Sequence, residues 1–412
     1  RRAAAGPVRL IADGSVACRH CPRLGSEAPL HIDFASSPGP SLGIEVELEV
    51  VDAATGELAD AATDLLAELG AGHPGGVHPK AKHELFECTV EIITGVCQTV
   101  SEARADLEAT LAEVQRAAEA RGLALLCSGT HPFSHWSDQT VSPDPRYDRL
   151  VQEMQWMARR LQIFGVHVHV GIRSPEKAVA IANAVAGYIP HFLALSASSP
   201  YWEGHDTGLA SSRSKIFEGL PTAGLPAPMA SWADFEQYME TLVSSGSIST
   251  VREVWWDVRP HPDFGTVELR MCDGIPTMSE IAAVAALAQS LVAWLAGLDD
   301  RRYTLPRHRD WVLRQNKWRA GRHGLDTDLI VDEHGRQEPA RVAVRELVDE
   351  VAPTAHKLDC SDELGFVAKI LEVGPSYLRQ RAAVGPGGAG AEALRPVVDL
   401  LVRELATDRI GG

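Results

Sequence analysis

A chain of 412 residues is long enough for one large domain or two, with ample material for a core. Its 45% apolar and 23% charged residues are ordinary for a globular protein, and its net charge of -16 excludes the basic surface that a nucleic-acid partner requires. Seven cysteines, odd in number and without a regular framework, point to a reducing compartment.

Residues 1–39 are rich in Arg, Ala, Gly and Pro without periodicity and are expected to form a poorly ordered extension. Within them Cys18 and Cys21 make a lone pair, with His20 the only further ligand for a zinc site. No hydrophobic signal core precedes a cleavage site, so the cytoplasm is the expected location. Residues 41–51 form the first strand, with Leu42, Ile44, Val46, Leu48 and Val50 alternating with Gly43, Glu45, Glu47 and Glu49. Period 2 puts the branched residues on one face and three carboxylates on the other. Like charges so placed need open water, as on a protected edge strand, or a cation. A turn follows at residues 52–56, then a helix over about 60–69 and a Gly/Pro/His loop to Lys80.

The β-rich run at 87–93 is expected to be a strand with Glu87 and Glu91 on one side. A helix over about 101–121 carries Leu107, Leu111 and Val114 on its apolar stripe, and a short strand spans 123–126. Residues 146–161 look helical. The strand at 164–171 sets three valines opposite His167 and His169, and Ser174 with Pro175 caps the helix that follows. Residues 200–228 are too long an irregular segment to be idle. In the last strand Val267, Leu269 and Met271 oppose Thr266, Glu268 and Arg270, and a capping box at Thr277 and Glu280 opens an apolar helix that ends at Gly297. That helix and the run from Ala178 to Ser199 read as buried helices, not membrane spans. Helices and irregularly spaced strands without regular βαβ repeats indicate an α+β fold with a largely antiparallel sheet.

Four strands therefore offer polar groups on one face: Glu45 and Glu47, Glu87 and Glu91, His167 and His169, Glu268 and Arg270. If they converge, the oxygen-rich cavity suits Mg²⁺ or Mn²⁺ better than zinc. Taken singly, each has a plainer reading, such as a salt bridge for Glu268 with Arg270 or a structural histidine for His169. Trp255 and Trp256 read as core, and Cys88, Cys127 and Cys272 as inert packing. No GxxxxGK[ST] loop is present, and no GxGxxG sits between an expected strand and helix. Arg213, Arg259 and Arg270 are the candidates for gripping phosphate or carboxylate, because a guanidinium forks onto such oxygens.

In order, Ser41–Glu47, Thr130–Phe133, Phe164–Gly171, Ser211–Arg213, Trp256–Pro260, Phe264–Arg270 and Asn316–Gly324 resemble the YbdK-type carboxylate–amine ligases. These form the second glutamate–cysteine ligase family, within the glutamine synthetase-like superfamily. The resemblance covers about residues 40–375 and implies one catalytic domain over 40–380, with a tail or helix at 381–412. It implies a curved antiparallel sheet walling a funnel, helices packed outside it, and an ATP-dependent carbon–nitrogen ligase that binds Mg²⁺ or Mn²⁺. By position, Glu45, Glu47, Glu84, Glu91, His167 and Glu268 match metal ligands. Arg213, Arg270 and Arg259 match the catalytic arginines, and Arg213, Arg270 and Arg322 the nucleotide-binding ones. His169 has no settled counterpart.

The expected reaction joins a small-molecule carboxylate to an amine through an acyl phosphate, either on glutamate and cysteine or as a specialised biosynthetic amide synthetase. Nucleic acid and membrane are not expected partners, whereas a homodimer or higher homo-oligomer is. Two other readings stand beside this one: a metal-dependent amidohydrolase using His167 and His169, and a non-catalytic ligand-binding member of the fold.

Overall fold

The computed structural model describes residues 30–384 and 388–411. Seven strands form one sheet: β1 (Leu42–Asp52), β2 (Ala81–His83), β3 (Thr89–Ile93), β4 (Leu123–Leu126), β5 (Gly165–Gly171), then two strands that follow a small hairpin, β6 (Tyr201–Trp202) with β7 (His205–Asp206). The two remaining sheet strands are β8 (Val258–His261) and β9 (Thr266–Asp273), and a second hairpin pairs β10 (Asp328–Ile330) with β11 (Gln337–Pro339). The order is β2-β3-β1-β5-β9-β8, with β4 also on β1, and every pairing is antiparallel.

β1 lies at the centre because its sequence serves both faces. Leu42, Ile44, Val46, Leu48 and Val50 are at most 2% exposed, and burying each contributes roughly 2 kcal/mol. On the other face Glu45 stands opposite Ile93 of β3 and His167 of β5, and Glu47 opposite Glu91. Farther along, His169 of β5 faces Glu268 of β9, which faces Arg259 of β8. Between Val166 and Val168 the β5–β9 ladder shifts register, so that both Arg270 and Met271 stand opposite His167. Such a bulge bends the strand and re-aims its side chains.

Behind the apolar face lie α2 (Val100–Glu119), α5 (Pro175–Val185), α6 (Ile189–Ser196) and α9 (Met278–Asp300). α9 is apolar nearly all round because α11 (Ala340–Lys357) and α12 (Ser361–Val373) cover its far side. It and the stretch Pro175–Ser196 are long and apolar enough to cross a bilayer, but both are mostly buried inside the protein. α9 runs on to Asp300, past the expected stop at Gly297. At the other end, α13 (Ser376–Val384) and α14 (Ala391–Thr407) close the structure. Leu394, Val397, Val398 and Leu401 of α14 pack with Val51, Leu126 and Phe133, and Arg379 of α13 pairs with Glu280 and Glu404.

Two expectations change locally. The helical stretch at 146–161 is two helices, α3 (Pro145–Met154) and α4 (Trp156–Arg159), broken at Gln155 with φ 51°. Strand β3 starts at Thr89, and Glu87 in the preceding turn accepts hydrogen bonds from the Thr63 N–H and hydroxyl instead of joining Glu91. There it offsets the positive end of α1 (Ala62–Gly70). In residues 30–39, Leu30, Ile32 and Phe34 pack against the cluster that holds Trp232 and Phe235 of α8 (Trp232–Ser244). Cys18, His20 and Cys21 lie outside the described residues.

Candidate active site

The polar face of the sheet floors a cavity of about 620 Å³. Glu45, Glu47, Glu84, Glu91, His167, His169, Arg213, Arg259, Glu268 and Arg270 all line it, so residues more than 200 positions apart in the chain meet there. α3 and residues 246–255 form its rim, together with Phe264 at the β8–β9 hairpin tip. Of the two tryptophans, Trp256 is core, as expected, whereas Trp255 lines the cavity.

One group centres on Glu45. His167 Nδ1 lies 3.2 Å from Glu45 Oε2, and His169 Nε2 lies 3.6 Å from Glu45 Oε1 and 3.7 Å from Glu268 Oε1. Burial, then the Arg270 charge, lowers His167 to about 4, so at neutral pH it is an uncharged imidazole donating to Glu45. Burial would raise Glu45, but the neighbouring His167 and His169 outweigh that and hold it well below the carboxylate range. Glu268 behaves alike: burial is overcome by Arg259 and Arg270, and the carboxylate stays ionised.

The second group is under-compensated. Burial, then the Glu84 charge, pushes Glu47 up to about 7 despite Arg213 and a hydrogen bond from the Gly165 N–H. Burial and the neighbouring Glu45 push Glu91 well above its ordinary value, with Lys82 at 3.2 Å as its counter-charge. Glu84 accepts from the Tyr147 hydroxyl. Three carboxylates, two of them deeply buried, thus face one cavity with too little positive charge of their own.

The arginines divide by what they hold. Arg213 is buried and Arg270 partly so, and each keeps a buried Nε without a partner, which suits an anionic ligand. Arg259 does not: its Nε donates to Glu268 at 2.6 Å and its Nη1 to the carbonyls of Val251, Arg252 and Val254. It orients Glu268 and ties down the rim. Arg322 is not brought to the cavity. It sits in the last turn of α10 (Asp310–His323), where the helix directs its Nη1 to the Gly208 carbonyl.

Arg213 opens the short α7 (Arg213–Phe217) in the segment read as too long to be idle, and a serine-rich knot holds it. Asp273, at the end of β9, accepts from the Ser198 N–H and the hydroxyls of Ser199 and Ser211 at 2.7 to 2.9 Å. Ser211 N–H also donates to the Gly321 carbonyl. From α10, buried Lys317 pairs with Asp257 at 2.5 Å and with Glu218, just past α7, at 2.7 Å. Gly165 leaves the space for the guanidinium, since a Cβ there would collide with Arg213 Nη2.

The donors fit a hard divalent cation: carboxylates with imidazole, two carboxylates raised by burial and by neighbouring carboxylates, and a buried His169 Nε2 without a hydrogen bond. Glu45, His169 and Glu268 each place a ligand atom within 4.8 Å of the others. Sequence reasoning missed Lys82, Tyr147, Asp273 and the setting of His169. Only the charge of Lys82, two residues from Glu84, could have signalled one of them. The five described cysteines are buried and free, and burial raises the thiols of Cys88, Cys127 and Cys272.

The family model described as glutamate–cysteine ligase family 2 matches residues 41–399. A protein of Frankia casuarinae provisionally named glutamate–cysteine ligase 2-1 is 55% identical over 380 residues, 92% of this chain and 99% of its own length. A similarly named protein of Thermobifida fusca is 50% identical, over 90% of this chain and 92% of its own. Among solved structures, a Francisella tularensis glutamate–cysteine ligase in complex with AMP superimposes with a TM-score of 0.65 at 14% identity, covering 91% of this chain and 90% of that one. A bifunctional glutathione synthetase from Pasteurella multocida gives 0.64 at 15% identity, over 89% of this chain and 53% of that one. These two likenesses show the fold: the open antiparallel sheet with helices on its outer face.

Proposed function

The chain belongs to glutamate–cysteine ligase family 2, and we propose that it is an ATP-dependent carboxylate–amine ligase working through an acyl phosphate. It is a ligase of the class that forms carbon–nitrogen bonds. The observation that carries the finer reading is the convergence of paired carboxylates with two arginines whose buried nitrogens lack partners.

Glu45, His167 and Glu268 would hold one divalent ion, and Glu47, Glu84 and Glu91 another, Mg²⁺ or Mn²⁺. Bound there, such ions neutralise polyphosphate charge. A carboxylate is a poor electrophile, so its oxygen first attacks the γ-phosphorus of ATP and ADP leaves. Arg213 and Arg270 present donors to the charge on the transferring phosphoryl group. An amine nitrogen then attacks the acyl carbon, gives up a proton, and phosphate departs. No side chain becomes acylated, which agrees with the inert cysteines. Residues 40–380 form the catalytic unit, the acid and amine are small molecules with glutamate and cysteine as the first pair to try, and the chain works in the cytoplasm as a homo-oligomer. The amidohydrolase reading gains no support here, because His167 and His169 both turn to carboxylates in a site rich in arginine.

The test is nucleotide turnover with Mg²⁺, ATP and a panel of carboxylates and amines. ADP release that needs metal and both co-substrates is the expected result. Amide hydrolysis without nucleotide would overturn it.

A further inference from the structure

We propose that His169 is a direct nitrogen ligand of the divalent ion held between Glu45 and Glu268. The proposal rests on the metal reading above and adds to it an imidazole that the sequence left without a role. Four observations carry it. His169 Nε2 is buried, has no hydrogen-bond partner, and points between two carboxylate oxygens. Those oxygens lie at 3.6 and 3.7 Å, too far for a good hydrogen bond. They suit donors that share one ion, which stand about 3 to 4 Å apart when each is about 2.1 Å from the metal. The opposite ring nitrogen, Nδ1, is 3.1 Å from Thr266 Oγ1. When that nitrogen donates to the hydroxyl, the lone pair sits on Nε2, and a ligating histidine is commonly fixed through its other nitrogen in this way.

The ring is also held from turning. His261 and Phe264 pack on it with centroids at 5.5 Å each. His167 is placed differently: its Nδ1 is engaged by Glu45 Oε2, which leaves only its Nε2 for the ion, whereas His169 faces both carboxylates at once. Glu268 already accepts from Arg259 and Arg270, so it needs no charged imidazole for its own sake.

The experiment titrates the full chain with Mn²⁺ alone, reads affinity by electron paramagnetic resonance, and reads coordinated ¹⁴N by electron spin-echo modulation. We expect ¹⁴N modulation in the wild type, its persistence in His167→Ala, and a loss of affinity of about tenfold or more with weakened modulation in His169→Gln. Thr266→Val keeps the imidazole and the side-chain volume. It should retain the modulation while binding Mn²⁺ several-fold more weakly, which keeps the test alive if His169→Gln does not fold. Unchanged affinity and modulation in His169→Gln overturns the assignment, as does loss of all modulation in His167→Ala. If wild-type protein binds Mn²⁺ without ¹⁴N coupling, His169 and His167 are both excluded as ligands while the carboxylate part of the metal reading stands. If it binds no Mn²⁺, both fall.

Discussion

His167 and Glu45 stand directly opposite each other on β5 and β1, and the ring Nδ1 reaches the carboxylate Oε2 at 3.2 Å. Because the imidazole is uncharged at neutral pH, this contact fixes a carboxylate without cancelling its charge. The site therefore keeps its negative potential for an incoming cation.

Charge removal at the two glutamates should separate function from stability. Glu47→Gln and Glu268→Gln are both expected to abolish turnover. Glu47→Gln should melt at or above the wild-type temperature, because burial and Glu84 already disfavour its charge. Glu268→Gln leaves Arg259 and Arg270 buried without their common partner and should lose about 3 kcal/mol or more. Near-normal turnover in either, or equal melting shifts in the two, would count against these roles.

The stability that Glu47 contributes to the metal-free protein should fade as pH rises. Glu47 has a folded-state value raised from 4.5 to about 7, so folding favours the protonated form. Its contribution is fully present below about 4.5 and is lost as pH climbs through about 7. Between pH 5 and 8 the wild-type denaturant midpoint should therefore fall relative to that of Glu47→Gln, and Mn²⁺ or Mg²⁺ should restore it. A wild-type midpoint that rises relative to the variant without metal would contradict the assigned direction.

Gly165 and Arg213 should behave as one unit. An alanine at 165 places a methyl group on the guanidinium, so Gly165→Ala should cost turnover about as much as Arg213→Met, on the order of a hundredfold. The double variant should be little worse than either single one. Arg213→Lys should not restore the rate, because an ammonium lacks the planar fork. Additive losses in the double variant would show that the glycine serves another purpose.

Asp273 should act through Arg213. Asp273→Asn keeps the shape but weakens the acceptors for Ser199 and Ser211, and turnover should drop about tenfold with a smaller change in KM for ATP. An unchanged rate with a lowered melting point would assign it to stability alone.

Much of this site is legible in the sequence because strand alternation is a local property. The alternations at 42–50, 165–171 and 266–271 place Glu45, Glu47, His167 and Glu268 on polar faces before any coordinates are known. What stands opposite them is not local. His167 meets Glu45 while His169 meets Glu268, a matter of register between strands about 100 residues apart. The three-residue β2 is too short to show a period, so Lys82 stays hidden. Glu87 and Glu91 share a parity, and only the turn ahead of Thr89 sends Glu87 to cap a helix. The register shift at Arg270 and the turn of Arg322 to the Gly208 carbonyl likewise depend on neighbours the motifs do not contain.

Arg259 links Glu268 to the main-chain carbonyls of Val251, Arg252 and Val254. Carbonyl oxygens are common to every residue type, so a side chain that lines the cavity there, such as that of Arg252, is free to diverge while the grip on the floor persists. Relatives can in this way acquire different appetites at the opening of the funnel without retooling the chemistry at its base.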